Sequence, residues 1–94
     1  MQQKRYVVNP DVLSRKELDG TLLVNTDNGD FVLINAVGHL IWQALSQPLT
    51  PEEIVACLME ICEDVPGEQV AADVEAFLQS LQSGGFIGEV LEEP

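Results

Sequence analysis

The sequence predicts an α+β, winged-helix-like fold, with a three-stranded antiparallel sheet followed by three helices. Three observations carry that prediction. Thr21 to Ile34 holds two apolar runs joined by Asp27-Asn28-Gly29. Beyond it lie three segments whose apolar residues recur at helical spacing. Breakers separate the segments, from Asn9-Pro10 and Asp19-Gly20 to Pro66-Gly67 and Gly84-Gly85. With 94 residues the chain forms one domain, residues 1–94. A chain of that size buries about 60 to 65 per cent of its unfolded surface, enough for one core and a shallow groove but little room for an enclosed active site.

Residues 1–10 mix two Gln, Lys4 and Arg5 with Tyr6-Val7-Val8 before Asn9-Pro10, and are expected to form a loosely attached arm. The first strand is Val12 to Leu18, ending at the turn Asp19-Gly20, where Gly takes positive φ without strain. Thr21 to Thr26 is the second strand and Asp30 to Ile34 the third, paired as a hairpin. Two registers are open. A two-residue Asn28-Gly29 loop sets Val24 opposite Leu33, whereas a three-residue loop sets Val24 opposite Val32 and Leu22 opposite Ile34. The second is favoured because Ile34 precedes a helix cap, where the chain must turn toward the core. Val32 and Ile34 then face inward, and Phe31 and Leu33 outward.

Asn35 suits an N-cap, since its side-chain oxygen can accept from an unpaired helix N–H. In the helix after it, Val37, Leu40, Ile41, Ala44 and Leu45 form one apolar stripe, and Gly38 admits a close neighbour. Trp42 is a packing residue at the rim of the core, and His39, off the stripe, is a solvated or locally bonded side chain without chemistry. Thr50-Pro51-Glu52-Glu53 begins the second helix with a capping box and a proline at the first helical position. That helix runs to about Glu63 with Ile54, Leu58 and Ile61 inward. The third spans about Gly67 to Ser83, with Val70, Val74, Phe77, Leu78 and Leu81 on one stripe. Gly84-Gly85 stops it, Phe86-Ile87 can tuck back, and the acidic tail, residues 89–94, is expected to be mobile.

Sixteen acidic residues against four basic ones give a net charge of -12, and Lys4, Arg5, Arg15 and Lys16 all precede Glu17. That balance excludes nucleic acid, which needs clustered Lys and Arg, and Glu68, Asp73 and Glu75 on the third helix exclude DNA recognition by it. A basic partner is favoured instead. Cys57 and Cys62, five apart on a helix, face different ways and are expected to be two buried thiols without a bridge. No ligand cluster suggests a metal or cofactor, no catalytic set of nucleophile and base is visible, and no apolar run suits a signal peptide or a membrane span. A cytoplasmic protein that is not an enzyme is expected.

Leu22-Leu23-Val24, Asp27-Asn28-Gly29, Ile34-Asn35 with Gly38 and Ile41-Trp42, and Thr50-Pro51-Glu52-Glu53-Ile54 resemble the PqqD-like family. Its members are peptide chaperones, also called RiPP recognition elements. The resemblance covers roughly Val12 to Ile87 and is greatest to the free-standing leader-binding proteins of lasso-peptide pathways. It implies that a precursor's leader adds as a strand to the edge of the third strand, beside the third helix, and is presented to a separate leader peptidase and a cyclase. Strand addition draws affinity from main-chain bonds and selectivity from alternate side chains. Asp30 to Ile34 has no Lys, Pro or other guard of a free edge.

On this resemblance, the main chain of Asp30, Phe31, Val32 and Leu33 pairs with the leader. Val70, Val74, Phe77 and Leu81 line the groove, while Asp73 and Asp30 meet basic residues of a leader that also carries apolar ones. The main alternatives are a PqqD-type chaperone serving a radical enzyme and a generic acidic interaction module. An acyl carrier is excluded, because Ser80-Leu81 follows Gln79 near a helix end rather than standing at a helix start.

Overall fold

Burial alternates along Gly20–Asn25, with Thr21, Leu23 and Asn25 inside and Leu22 and Val24 half-buried on the opposite side. That period of two orients the sheet. A computed structural model describes residues 4–61 and 66–91. In chain order its elements are β1 (Lys4–Val8), β2 (Val12–Glu17), β3 (Gly20–Asn25), β4 (Phe31–Ile34), α1 (Ala36–Ala44), α2 (Pro51–Ile61), α3 (Gly67–Ser83) and β5 (Ile87–Leu91). The three-stranded antiparallel sheet has the order β2-β3-β4, and the helices cover its inner face. Leu23 and Ile34 from the sheet meet Ile41, Trp42, Leu45, Ile54, Leu58, Val74 and Leu78 in one core. Each such side chain contributes about 1.5–3 kcal/mol on burial.

The hairpin adopts neither expected register. Leu22 pairs with Leu33 and Val24 with Phe31, so Thr26 to Gly29 form a four-residue loop. Asn25 is the reason. Its amide donates to Asp30 O at 2.8 Å and its side-chain oxygen accepts from Asp27 N at 2.9 Å, while Asn28 Oδ1 accepts from Asp30 N at 2.8 Å. Gly29 closes the loop at φ 79°. The inward and outward sets are nevertheless those expected: Ile34 is buried and Val32 packs on the core, while Phe31 and Leu33 are exposed.

Two further corrections concern the ends of the chain. The arm expected over residues 1–10 contains β1, which pairs with β5 from Lys4↔Leu91 to Val8↔Ile87, so the expected tail is a strand as far as Leu91. Tyr6 also exchanges main-chain bonds with Leu49, and Val8 N donates to Leu45 O at 3.0 Å. These bonds satisfy a half-buried Tyr6-Val7-Val8 that a mobile arm would leave in water. Residues 92–94 lie outside the described residues.

Local helix signals act as expected. Asn35 Oδ1 accepts from Gly38 N at 2.8 Å. Thr50 Oγ1 accepts from Glu53 N at 3.2 Å, and Glu53 Oε1 accepts from Thr50 N at 2.9 Å. The Thr50 N–H, with Arg5 at 2.6 Å beside the same carboxylate, holds the Glu53 pKa below the usual carboxylate range. His39 is locally bonded, its Nδ1 lying 2.9 Å from Thr21 Oγ1. Trp42 packs in the core and, at 9% exposure, is its least covered member. Ile61, expected inward, is 60% exposed, and Cys57, expected to be buried, is an exposed free thiol. Both follow from α3 packing against the Ile54 and Leu58 side of α2. Cys62 lies outside the described residues.

Candidate peptide interface

Hydrogen bonding in an antiparallel pair alternates, and this rule sorts the main chain of β4. Because Asn25 N donates to Asp30 O, the bonded rungs are Asn25–Asp30, Leu23–Val32 and Thr21–Ile34. The N–H and C=O groups of Phe31 and Leu33 therefore point the other way, to an edge that no described strand occupies. Asp30 is spent on the turn, with its N–H on Asn28 and its carbonyl on Asn25. Of the four residues expected to offer main chain, Phe31 and Leu33 do so. Val32 is committed to the sheet, and Asp30 presents only its exposed carboxylate.

A cavity of about 360 Å³ lies between α1 and the first half of α3 and reaches the end of β4 at Asn35. Val70, Asp73, Val74 and Phe77 line it from α3, and Val37, Gly38 and Ile41 face them from α1. Gly38 fixes the separation. A Cβ there would sit 3.0 Å from the Phe77 ring and 3.1 Å from Ile34 Cβ, so only glycine lets α1, α3 and the end of β4 meet this closely. Phe77 is half-buried and Asp73 exposed at the mouth, whereas Val70 and Val74 are mostly core and show the groove one edge. Leu81, expected in the wall, is 1% exposed and packs in the core without lining the groove. Val37, on the apolar stripe by its spacing, is 45% exposed at the rim. Its position in the first turn after Asn35, where the helix has only begun to cross the sheet, is the signal that separates it from the stripe.

The far end of the edge is tied to α3. Asn25 Nδ2 donates to the carbonyls of Gly84 and Gly85 at 3.0 and 3.1 Å, Asn28 Nδ2 to Gly84 O at 3.2 Å, and Asn9 Nδ2 to Gly85 O at 2.9 Å. Gly85, at φ 75°, has no space for a Cβ, which would lie 2.8 Å from Asn25 Nδ2. An open strand edge, an apolar cavity near its Ile34 end and the exposed carboxylates of Asp30 and Asp73 together suit an extended peptide with apolar and basic side chains. Among the described residues no group of three or more His, Cys, Asp or Glu could hold a metal, and no helix is long and apolar enough to cross a membrane.

Two solved structures share this fold. The solved structure of TbiB1 in complex with the TbiA(beta) leader peptide is 27% identical, with a TM-score of 0.75 over 86% of this chain and 93% of that one. A lasso peptide synthetase B1 complexed with its leader peptide, 20% identical, shares the fold at a TM-score of 0.74, over 88% and 96% of the two chains. Among curated proteins none matches the sequence. The family model for coenzyme PQQ synthesis protein D matches residues 20–87, from the start of β3 through all three helices, and on that extent the chain belongs to the PqqD family.

Proposed function

We propose that this chain is a RiPP recognition element of lasso-peptide maturation. It binds the leader of a ribosomally made precursor as an added strand on β4 and presents it to a separate leader peptidase and cyclase. The observation that carries this is the unguarded edge itself. Phe31 and Leu33 aim main-chain donors and acceptors outward from a strand whose end meets an apolar cavity at Asn35, with no Lys, Pro or bulge in the strand to repel a partner. The leader-bound state of TbiB1, similar over most of both chains, supports the same occupant. Asp30 and Asp73 receive basic leader residues, and Val37, Phe77 and the edges of Val70 and Val74 receive apolar ones. The chain does no chemistry of its own and works in the cytoplasm, where its partners cut and cyclise the precursor.

The family match favours a second reading, in which the same edge delivers a peptide to a radical enzyme. Calorimetric titration with the leader encoded beside this gene tests the proposal. Saturable one-to-one binding at about micromolar concentration is expected for an interface this small, and no binding at that level sinks it. The activity of the neighbouring enzyme, leader proteolysis or radical chemistry, separates the two readings.

A further inference from the structure

The β1–β5 sheet has an outer edge as well. Asn9 N donates to Phe86 O at 3.0 Å, one rung beyond Val8↔Ile87, so the bonded rungs of this pair are Asn9–Phe86, Val7–Gly88 and Arg5–Val90. Tyr6 and Val8 agree with that phase, since their N–H groups turn away from β5 and donate to Leu49 O and Leu45 O. The N–H and C=O groups of Ile87 and Glu89 therefore point away from β1, to an edge that no described strand occupies. The remaining edges are accounted for. Leu45 and Leu49 close β1, Arg15 and Lys16 guard β2 with charge, and the proposed leader takes β4. β5 has neither Lys nor Pro, and within it stands Gly88, exposed, where a Cβ would meet nothing within 4 Å. Glycine inside a strand often marks the close approach of another backbone.

Charge and position identify the occupant. The Glu89 carboxylate accepts from Gln82 Nε2 at 2.7 Å and lies 3.8 Å from Lys4 Nζ, and Glu92 and Glu93 follow in the sequence. An added strand that carries Lys or Arg meets these acids, whereas a second copy would bring another net charge of -12. Val90, 42% exposed, offers such a strand an apolar neighbour. β5 belongs to the sheet that does not contain β4, so a strand added there leaves the peptide edge free. An enzyme that cuts the leader must reach the leader, but one that acts on the released core need not. Once the leader is cut, this chain keeps the leader and the core has no bond to it, so the core passes efficiently only to an enzyme already docked. We propose that the edge of β5 recruits the cyclase by strand addition, pairing with an extended segment of that enzyme that carries basic and apolar side chains. This rests on the proposed function for the identity of the partner.

The test titrates the purified cyclase into the full chain, alone and with the synthetic leader bound. Glu89→Pro removes an N–H that points at the open edge and leaves the rungs to β1 in place, while Glu89→Ala removes the carboxylate alone. Cyclase affinity is expected to fall at least about tenfold in Glu89→Pro, because main-chain bonds carry strand addition, and less than about threefold in Glu89→Ala, because an exposed ion pair contributes little. Leader affinity should stay within about twofold of wild type in both, as expected of independent sites. Val90→Lys sets a like charge against a basic strand and leaves every main-chain group in place; it should weaken cyclase binding too, and it decides the matter if Glu89→Pro does not fold. Cyclase binding unchanged in Val90→Lys, or in a folded Glu89→Pro, overturns the proposal. So does a parallel loss of leader affinity, which would place β5 in the peptide site, and so does a loss of peptidase binding with cyclase binding intact. A concentration-dependent dimer of the wild type that Glu89→Pro abolishes overturns it in favour of a second copy. Wild type that binds leader but not cyclase refutes the docking and leaves the proposed function standing. Wild type that binds cyclase but not leader refutes the proposed function and leaves the docking standing.

Discussion

A proline at Leu33 removes an N–H that points at the open edge, whereas a proline at Val32 removes one engaged with Leu23 across the sheet. Strand addition therefore makes the two substitutions differ. Leu33→Pro should abolish leader binding in calorimetry while unfolding in urea stays cooperative and nearly as stable as wild type. Val32→Pro should cost on the order of 1–3 kcal/mol of stability through the orphaned Leu23 carbonyl. Leader affinity unaltered in Leu33→Pro would show that the main chain of β4 is not the site. Asn25 makes the opposite kind of contribution. It is 2% exposed and bonds Asp27, Gly84 and Gly85 with one side chain. Asn25→Ala takes the Asp27 N–H acceptor away and removes one of the two donors from each of the Gly84 and Gly85 carbonyls, so a loss of about 1–3 kcal/mol is expected. In thermal unfolding each kcal/mol appears as a fall of roughly 4–8 °C for a chain of this size. A melting temperature equal to wild type would mean that water replaces the amide at no cost.

Among the elements, α1 is placed by Gly38. Gly38→Ala should gain up to about 1 kcal/mol of helix propensity and lose about 1–3 kcal/mol to overpacking against Phe77 and Ile34. The Phe77 ring lines the groove, so a shift that relieves the added methyl reshapes that wall, and leader affinity should fall more than thermal stability. Equal affinity in both proteins would remove Phe77 from the binding wall. Elements were legible in the sequence where their causes are local. The Asn35 cap, the Thr50–Glu53 box and the α3 stripe are each decided within a few residues. The hairpin register was not, because the Asn25 and Asn28 side chains that close the four-residue loop are also held by Gly84 and Gly85, 56 to 60 residues away. β1 escaped notice for the same reason: its partner, β5, is at the other end of the chain. Leu81 and Val37 exchanged roles because a helical stripe gives the buried side but not how far along it the groove extends.

The whole molecule measures 35 × 32 × 18 Å, the thin dimension being one sheet and one layer of helices. That leaves one face of the sheet bare, and among the described residues no charged side chain is buried. A field of -12 should draw a basic leader in quickly and hold it only slightly better. Raising NaCl from about 0.05 to about 0.5 M should slow association severalfold with little change in dissociation, measured by stopped-flow fluorescence of Trp42 or a labelled leader. Rates independent of salt would show that charge plays no part in capture. Charge balance and size were readable in full from composition. The location of the bare face was not, because it depends on a hairpin whose asparagines are held by residues far away in the sequence.

Those asparagines also decide how the groove can change width. With the hairpin loop fastened to the end of α3 through Gly84 and Gly85, the two walls behave as a clip closed at one end. At the other end α3 begins at Gly67, around which a Cβ would meet nothing within 4 Å. For the proposed leader this makes the end of the groove at Asn35 and Val70, away from the tether, the place expected to accept the widest range of side chains.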